Sequence, residues 1–476
     1  MMEDTFTEII SNADTREWKK ISVQFGNEFL DISVPQQCET LKMKKMPRLA
    51  QSKEEIAQAL NNPTGSPTIP EIIRSKGKLA SETTVCITVS DITRPVPYKG
   101  ENGILLPLLE IIELTGVKRK NIVFVIGNGM HRPSTSEEKL AMYGNEIVDH
   151  YRIVDHNSED MSSQVLVAHT SRNTDVYLNK TFYESDVRII TGLVESHFMT
   201  GISGGRKAVC PALTNTKTIQ KFHGVDFLEH PNATNLVLEG NPCHEEALEV
   251  AQTVGIDFMI SATLDNSLHI TGVYAGDLIK AHMKAFEAMK SFVQIPIDEP
   301  YDIVLTHGGY VGRDHYQSVK SAVGAIPAVK DGGFIVMVSN TVDMEPIGSR
   351  EYKTLLHLFK ILGPDAYISI LKHPEWVFTK DQWEPEMWGK VIRKVGNEGL
   401  IFCSAQIGEG DYAILPGISG YAFIDGNTEF GSTREKAQAM FQNAVIYATN
   451  HPRFEGRNPS MAFIEEGPYA IPLVKE

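Results

Sequence analysis

Two histidines, two cation-bearing segments and a glycine run carry most of the chemistry this chain offers. The stretch Glu195-Ser196-His197-Phe198-Met199-Thr200-Gly201-Ile202-Ser203-Gly204-Gly205-Arg206-Lys207 joins an imidazole, small residues and an Arg-Lys pair. Glycines let the backbone approach an anion closely and offer it peptide N–H groups. A lysine beside such an anion is a candidate for covalent attachment. The stretch therefore points to a phosphorylated cofactor cradled by the glycines and gripped by Lys207. Without a ligand the same residues read as a glycine turn before a helix with two solvated cations. Taken alone, the stretch does not choose between the two.

Familiar phosphate loops are excluded. Counting from Gly201 puts Arg206 where a Walker A loop needs its second glycine, and Ala208 follows Lys207 where it needs Ser or Thr. A dinucleotide fingerprint fails at Gly127-Asn128-Gly129-Met130-His131-Arg132, because Arg132 holds the third glycine position.

The elements around these residues repeat one arrangement. Val187 to Leu193 is an apolar run that reads as a buried parallel strand, so His197 follows a strand's carboxyl end. Thr83 to Val89 is a β-branched strand that ends in Ser90-Asp91-Ile92-Thr93-Arg94-Pro95. A lone DxxR is most simply an Asx-type turn with an ion pair. Asn121 to Ile126 is a third strand, leading to His131; the run Ser134-Thr135-Ser136-Glu137-Glu138 then gives a capping box that starts a helix. Helices are expected at Lys53–Asn61, Ile104–Leu114, Glu245–Val254 and Leu278–Val293, with helical character at Cys210–Leu213 and Thr216–Phe222, the latter leading to His223. Residues before about Ala80 offer no chemistry; Val23–Gly26 and Phe29–Ile32 read as short strands around a turn. Gln294 to Pro300 reads as a linker. A second βα series follows from Asp302, with the loop His307 to Lys320, strands at Gly333–Ser339 and Gly399–Cys403, helices near Arg350–Leu362 and Asp381–Val395, and a polar tail from Ile464. The pattern predicts an α/β protein of two domains, a larger N-terminal one over 1–298 and a smaller C-terminal one over 299–476, with the active site in the cleft between them.

Composition fits that picture. The 476 residues exceed what one core usually holds, and 42% hydrophobic with 22% charged residues is ordinary for a globular protein. A net charge of −15 argues against a nucleic-acid partner. No apolar run approaches the roughly 20 residues of a membrane span, and the start Met1-Met2-Glu3-Asp4 carries no signal-peptide pattern, so a cytoplasmic location is expected. Five scattered cysteines without a CxxC pair speak against a disulfide framework or a thiolate zinc site.

In order and at sensible spacing, these motifs resemble the nickel-dependent lactate racemase family. They are DxTRP at Asp91–Pro95, the run Gly127–Arg132, HF and GxSGGRK over His197–Lys207, Phe222-His223, YQxxK at Tyr316–Lys320 and DQW at Asp381–Trp383. The resemblance spans about Val85 to Val391. It implies a racemase or epimerase that inverts C2 of a 2-hydroxy acid by proton-coupled hydride transfer. The implied cofactor is a nickel-pincer nucleotide, pyridinium-3-thioamide-5-thiocarboxylic acid mononucleotide, attached to Lys207, with His223 as protein ligand to Ni(II). His131 and His197 would be the acid–base pair, Ser203, Gly204 and Gly205 would hold the phosphate, and Asp91 would support the cofactor site. Arg94, Gln317 and Lys320 would hold the substrate carboxylate, with Tyr316 and Trp383 shaping the pocket. Cofactor-loading enzymes would be partners, and the chain would act as a monomer or homodimer.

One departure bears on the substrate. Arg313 and His315 put more charge before Tyr316 than a pocket for a methyl group needs, so the substrate is lactate-like, malate-like or a sugar acid if they face it, and neither contributes if they face solvent. Two other classes stand beside the racemase: a carrier that grips the nucleotide without turnover, and a zinc hydrolase, which would need three protein ligands. No HxxxH or HxH pair supports the hydrolase, and a carrier has no use for paired histidines.

Overall fold

The computed structural model describes residues 6, 8–11 and 13–475. The chain forms two compact units, Lys45–Phe292 and a second that joins residues up to Lys44 with those from Val293 onward.

The unit Lys45–Phe292 is built on a six-stranded sheet in the order Ile270–Gly276, Phe258–Leu264, Val187–Leu193, Val85–Val89, Ile122–Ile126, Arg152–Asp155. All neighbours pair in parallel except the edge strand Ile270–Gly276. Val85–Val89 and Ile122–Ile126 are buried at every residue, which is why they read as unbroken apolar runs rather than alternating ones. The chain starts at Val85–Val89, moves out through Ile122–Ile126 to Arg152–Asp155, then returns to the other flank with Val187–Leu193. A topological switch point therefore lies between Val85–Val89 and Val187–Leu193, and the loops beyond their carboxyl ends are where such sheets bind ligands. Those loops carry Asp91, Arg94 and His197.

The other unit holds a wholly parallel six-stranded sheet, ordered Ile418–Ser419, Leu400–Cys403, Val329–Val338, Tyr301–His307, Met461–Ile464, Glu39–Leu41. The hairpin Lys19–Phe25 with Glu28–Val34 turns at Gly26, whose φ of 64° suits glycine, and it packs on the helix Thr433–Thr449.

Several expectations are corrected. Division at 298 misplaces the first 44 residues: Glu39–Leu41 adds a strand beside Met461–Ile464, and Ser33 N–H donates to Gln442 at 2.7 Å, so this segment belongs with the C-terminal half. The two units are consequently close in size, not large and small. Gln294–Ile297 is no linker but a strand paired in parallel with Ile471–Val474, which gives the supposed polar tail a strand whose first two residues are buried. Cys210 to Leu213 forms turns rather than helix, Leu213 N–H closing on Val209 and Thr214 N–H on Pro211. The hairpin Gln164–His169 with Asp175–Asn179 and the helix Thr433–Thr449 were not expected. Among the described residues no helix is long and apolar enough to cross a membrane, and all five cysteines are free and buried.

Candidate functional site

At the switch point, Asp91 opens an Asx turn: its Oδ1 accepts from Thr93 N–H at 3.1 Å and from the Thr93 hydroxyl at 2.5 Å. Its Oδ2 lies 2.6 Å from His131 Nδ1. Burial alone would raise the Asp91 carboxyl, but the bonds from His131 and Thr93 outweigh it and hold the group below its usual range. An ionised Asp91 makes Nδ1 of His131 the proton-bearing nitrogen and leaves the lone pair of the neutral ring on Nε2. Asp91 is thus the orienting partner of His131, a role the sequence left unassigned. His131 itself is exposed, on a loop fixed by Gly127 N–H to Val89 and Gly129 N–H to Ala212.

Arg94 pairs with a residue that the sequence did not single out. Its Nη1 is 2.9 Å from Glu195 Oε1, not on Asp91 as the DxxR spacing suggested. Glu195 sits two residues before His197, so the ion pair ties the two switch-point loops together.

His197 lies in a short hairpin, Ser196–His197 against Gly201–Ile202. The N–H groups of Met199 and Thr200 point at its Nδ1, at 3.2 and 3.3 Å, so Nδ1 accepts and the ring proton of the neutral form sits on Nε2. His131 and His197 therefore both present Nε2, in opposite protonation states of the neutral ring: a lone pair on His131 and a proton on His197. Ser203 does not match its expected role: its hydroxyl donates to the Leu193 carbonyl at 2.7 Å and accepts from Glu195 N–H at 3.0 Å. The side chain is buried and closes the hairpin; it is not aimed at a phosphate.

Gly204 and Gly205 have φ of 70° and 52°, and a Cβ on Gly205 would lie 2.7 Å from the His282 ring, so only glycine fits there. Arg206, readable as a solvated cation, is fully buried. Its Nη2 donates to the carbonyls of Thr200 and Ile202 at 3.0 and 2.9 Å, and its Nη1 faces His282. His282 Nε2 in turn reaches the Ser203 carbonyl at 2.9 Å. Arg206 and His282 are the underside of the glycine run and fasten the hairpin that bears His197. Neither was legible, since only packing buries them. Burial pushes Arg206 down to about 9.

Lys207 follows on the short 3-10 turn Gly205–Ala208. His223 closes the helix Thr216–Phe222, whose first turn is capped by Asn215 accepting from Thr218 N–H. His223 Nδ1 is 3.0 Å from the Ile219 carbonyl, which fixes the tautomer with its lone pair on Nε2. Burial pushes this imidazole down to about 4, and both Lys207 and His131 add to that, so the three groups face one another electrostatically. A neutral imidazole with a carbonyl-fixed tautomer beside an amine is a donor set that suits one protein ligand to a metal bound mainly by an organic cofactor. Among the described residues no group of three His, Cys, Asp or Glu side chains could hold a metal ion, which is what the zinc-hydrolase alternative requires.

The second unit has its own cluster. Asp314 caps the helix His315–Ala325, accepting from Gln317 N–H at 2.6 Å. Tyr316 hydroxyl accepts from Trp383 Nε1 at 2.9 Å, and Trp383 starts the helix Trp383–Val395, which packs on His315–Ala325. Lys320 lies one helical turn beyond Tyr316 and acts electrostatically on Glu384. Arg313 is exposed. His315 is not a substrate contact: it is fully buried, stacked on Trp388 at 4.5 Å, with Nδ1 at 2.9 Å from Tyr352 hydroxyl. Burial pushes it down to about 3, so it stays neutral and brings no charge.

A doubly wound parallel sheet with polar loops at its switch point defines an α/β protein with a ligand-binding crevice in the unit Lys45–Phe292. Residues 25–235 match the lactate racemase N-terminal domain. The chain is 32% identical over 342 residues to a lactate racemase of Lactiplantibacillus plantarum, covering 71% of this chain and 77% of that one. It is also 32% identical over 348 residues to a lactate racemase of Thermoanaerobacterium thermosaccharolyticum, covering 72% and 78%. The lactate racemase apoprotein structure from the latter organism superposes with a TM-score of 0.79 at 25% identity, over 96% of this chain and 100% of that one. A Thermotoga maritima protein shares the fold, with a TM-score of 0.55 at 16% identity. The chain belongs to the lactate racemase family.

Proposed function

We propose that this protein racemises or epimerises a 2-hydroxy acid at C2, with lactate as the first candidate substrate and a malate-like or sugar acid next. The observation that carries the reading is the pair His131 and His197, each held through Nδ1 by a different kind of partner, so that Nε2 is an acceptor in the first neutral ring and a donor in the second. Lactate racemase relatives covering most of the chain give the substrate class its support.

Removing the α-proton of a hydroxy acid would place a second negative charge beside its carboxylate. Removing the α-hydrogen with its electron pair, while a base takes the hydroxyl proton, leaves a neutral ketone instead. A nickel-pincer nucleotide, when bound, supplies the acceptor for that hydrogen. Lys207 would tether it, Gly204 and Gly205 would admit its phosphate, and His223 Nε2 would face its metal. His131 Nε2 is set to accept the hydroxyl proton from one enantiomer, with Asp91 stabilising the imidazolium that forms. His197, with a proton on Nε2, is set to return a proton on the other hand. Arg94 offers a guanidinium held ready by Glu195, and Lys320 with Tyr316, Gln317 and Trp383 is the group we assign to the substrate carboxylate.

The test is chiral chromatography over lactate, malate and sugar acids, using protein co-expressed with cofactor-loading enzymes and checked by intact mass. Interconversion of one acid by protein with a nucleotide adduct on Lys207 and one nickel is expected. A fully loaded protein that interconverts none of them would overturn the reading, and the carrier would take its place.

A further inference from the structure

Asp91 and His131 lie on different loops, so their 2.6 Å contact depends on what fixes one loop against the other. Both loops send a tyrosine back to one residue, Ser90, which precedes Asp91. Tyr98 follows Asp91 through Pro95 and Pro97, whose rings stiffen the turn, and its hydroxyl accepts from Ser90 N–H at 2.8 Å. Tyr143 ends the helix Ser136–Tyr143, which begins shortly after His131, and its hydroxyl donates to the Ser90 carbonyl at 2.8 Å. Both main-chain polar groups of Ser90 are therefore held by phenols.

The bonds run in one order. The Thr191 hydroxyl gives its proton to the Thr88 carbonyl at 2.6 Å, so its oxygen accepts from the Tyr98 hydroxyl at 2.7 Å. Tyr98 thus links Ser90 to the strand Val187–Leu193, which leads to His197. The link falls just past the last ladder pair between Val85–Val89 and Val187–Leu193, Ile87 with Ile189, where the switch point opens. Tyr98 and Tyr143 are 1% and 2% exposed, with ring centroids 5.7 Å apart. Burial pushes both phenols up, and Asp91 adds to this, so each keeps its proton as a donor.

We infer that Tyr98 and Tyr143 are positioning residues that clamp Ser90 and so hold Asp91 on Nδ1 of His131. Their part in turnover rests on the reading of His131 as a base made above. Packing alone does not call for the hydroxyls, since phenylalanine would fill the same core. What the hydroxyls add is direction. The Ser90 carbonyl belongs to the peptide that enters Asp91, so fixing it fixes where the carboxylate side chain starts. Tyr143 also fastens the element after His131 to that same peptide. Without the clamp the carboxylate shifts, and the neutral His131 ring can carry its proton on either nitrogen.

The test compares wild type with Tyr98→Phe and Tyr143→Phe, which keep the rings and lose the hydroxyls. Tyr412→Phe is the control, because the Tyr412 hydroxyl holds Ser404 N–H and the Ser404 carbonyl at 2.7 and 2.9 Å in the other unit. NMR of the full chain labelled with nitrogen-15 histidine, at alkaline pH and with His131 assigned from His131→Ala, reads the tautomer. Wild type and Tyr412→Phe should carry the His131 proton on Nδ1, and Tyr98→Phe and Tyr143→Phe should each show a mixture. In the cofactor-loaded proteins, kcat for lactate should fall about ten- to a hundredfold in the two clamp variants with KM within about twofold, since a misplaced base weakens the transition state and not substrate binding. A wild-type tautomer or a wild-type kcat in either clamp variant, or the same mixture in Tyr412→Phe, would overturn the inference. A wild-type ring with its proton on Nε2 would overturn it without any variant, even if the substitutions fold poorly. Proteins that show the tautomer pattern while loaded wild type interconverts no hydroxy acid keep the clamp and lose the racemase reading.

Discussion

The loops at the switch point of Lys45–Phe292 keep their chemistry near the surface and pair it one to one. Asp91 meets His131, and Arg94 meets Glu195. The cluster around Lys320 works the other way, with several buried carboxyls sharing one ammonium. Paired and partly solvated groups can each hold the protonation state that acid–base exchange needs at neutral pH. Crowded buried groups fix one protonation pattern, which suits recognition of an anion more than transfer of a proton. On the proposed function, the first region would move protons and the second would place charge.

The sharpest way to break that contrast is at Lys207. Lys207→Arg keeps a cation but has no amine to form the adduct. Intact mass should show no nucleotide, and turnover should fall to background; a retained adduct would move the tether elsewhere. Next is His315, buried between Trp388 and Tyr352. His315→Ala should cost about 2–4 kcal/mol in denaturant unfolding, by cavity formation, with the malate-to-lactate preference of the enzyme unchanged. A selective rise in KM for malate would restore it to the substrate pocket.

Asp302 supplies the counter-example to the crowded carboxyls around Lys320 inside the same unit. It is 5% exposed, but Arg457 and Ser460 reach it at 2.7–2.9 Å, and they hold its carboxyl below the usual range although burial pushes the other way. A depressed carboxyl stabilises the fold above its unfolded value and loses that contribution as pH falls. Wild-type stability should therefore drop as pH falls below about 4. Asp302→Asn should cost about 3 kcal/mol at pH 7 and flatten that acid limb. Equal acid sensitivity in both proteins would mean Asp302 is not ionised in the fold. The smallest effect is expected at exposed Arg313, where Ala should change stability by no more than about 0.5 kcal/mol, read from the thermal midpoint.

How much of this was legible follows from the range of each interaction. Asp91 with Thr93 and Thr135 with Glu138 are local turns and caps, so the sequence carries them in a few residues. His131 and His197 could be placed because unbroken apolar strands announce where the following loop must lie. Arg94 with Glu195 spans 101 residues, and nothing near either one signals it. Arg206 reads as a solvated cation and His315 as a substrate contact or a solvent-facing group, because charge suggests a ligand or solvent; burial by carbonyls in one case and by aromatic rings in the other is a tertiary outcome. The same holds for the first 44 residues, whose place is set by strand pairing with the far end of the chain.

The central claim is that two imidazoles in different hydrogen-bonding states serve the two hands of one substrate. Cofactor-loaded His131→Ala and His197→Ala, each started from pure D- and pure L-lactate and followed by chiral chromatography, test it directly. Racemisation should fall by about 10²–10⁴-fold in each variant while bound nickel stays at wild-type level, with His223→Ala alone losing the metal. Wild-type turnover in both single variants would contradict the account.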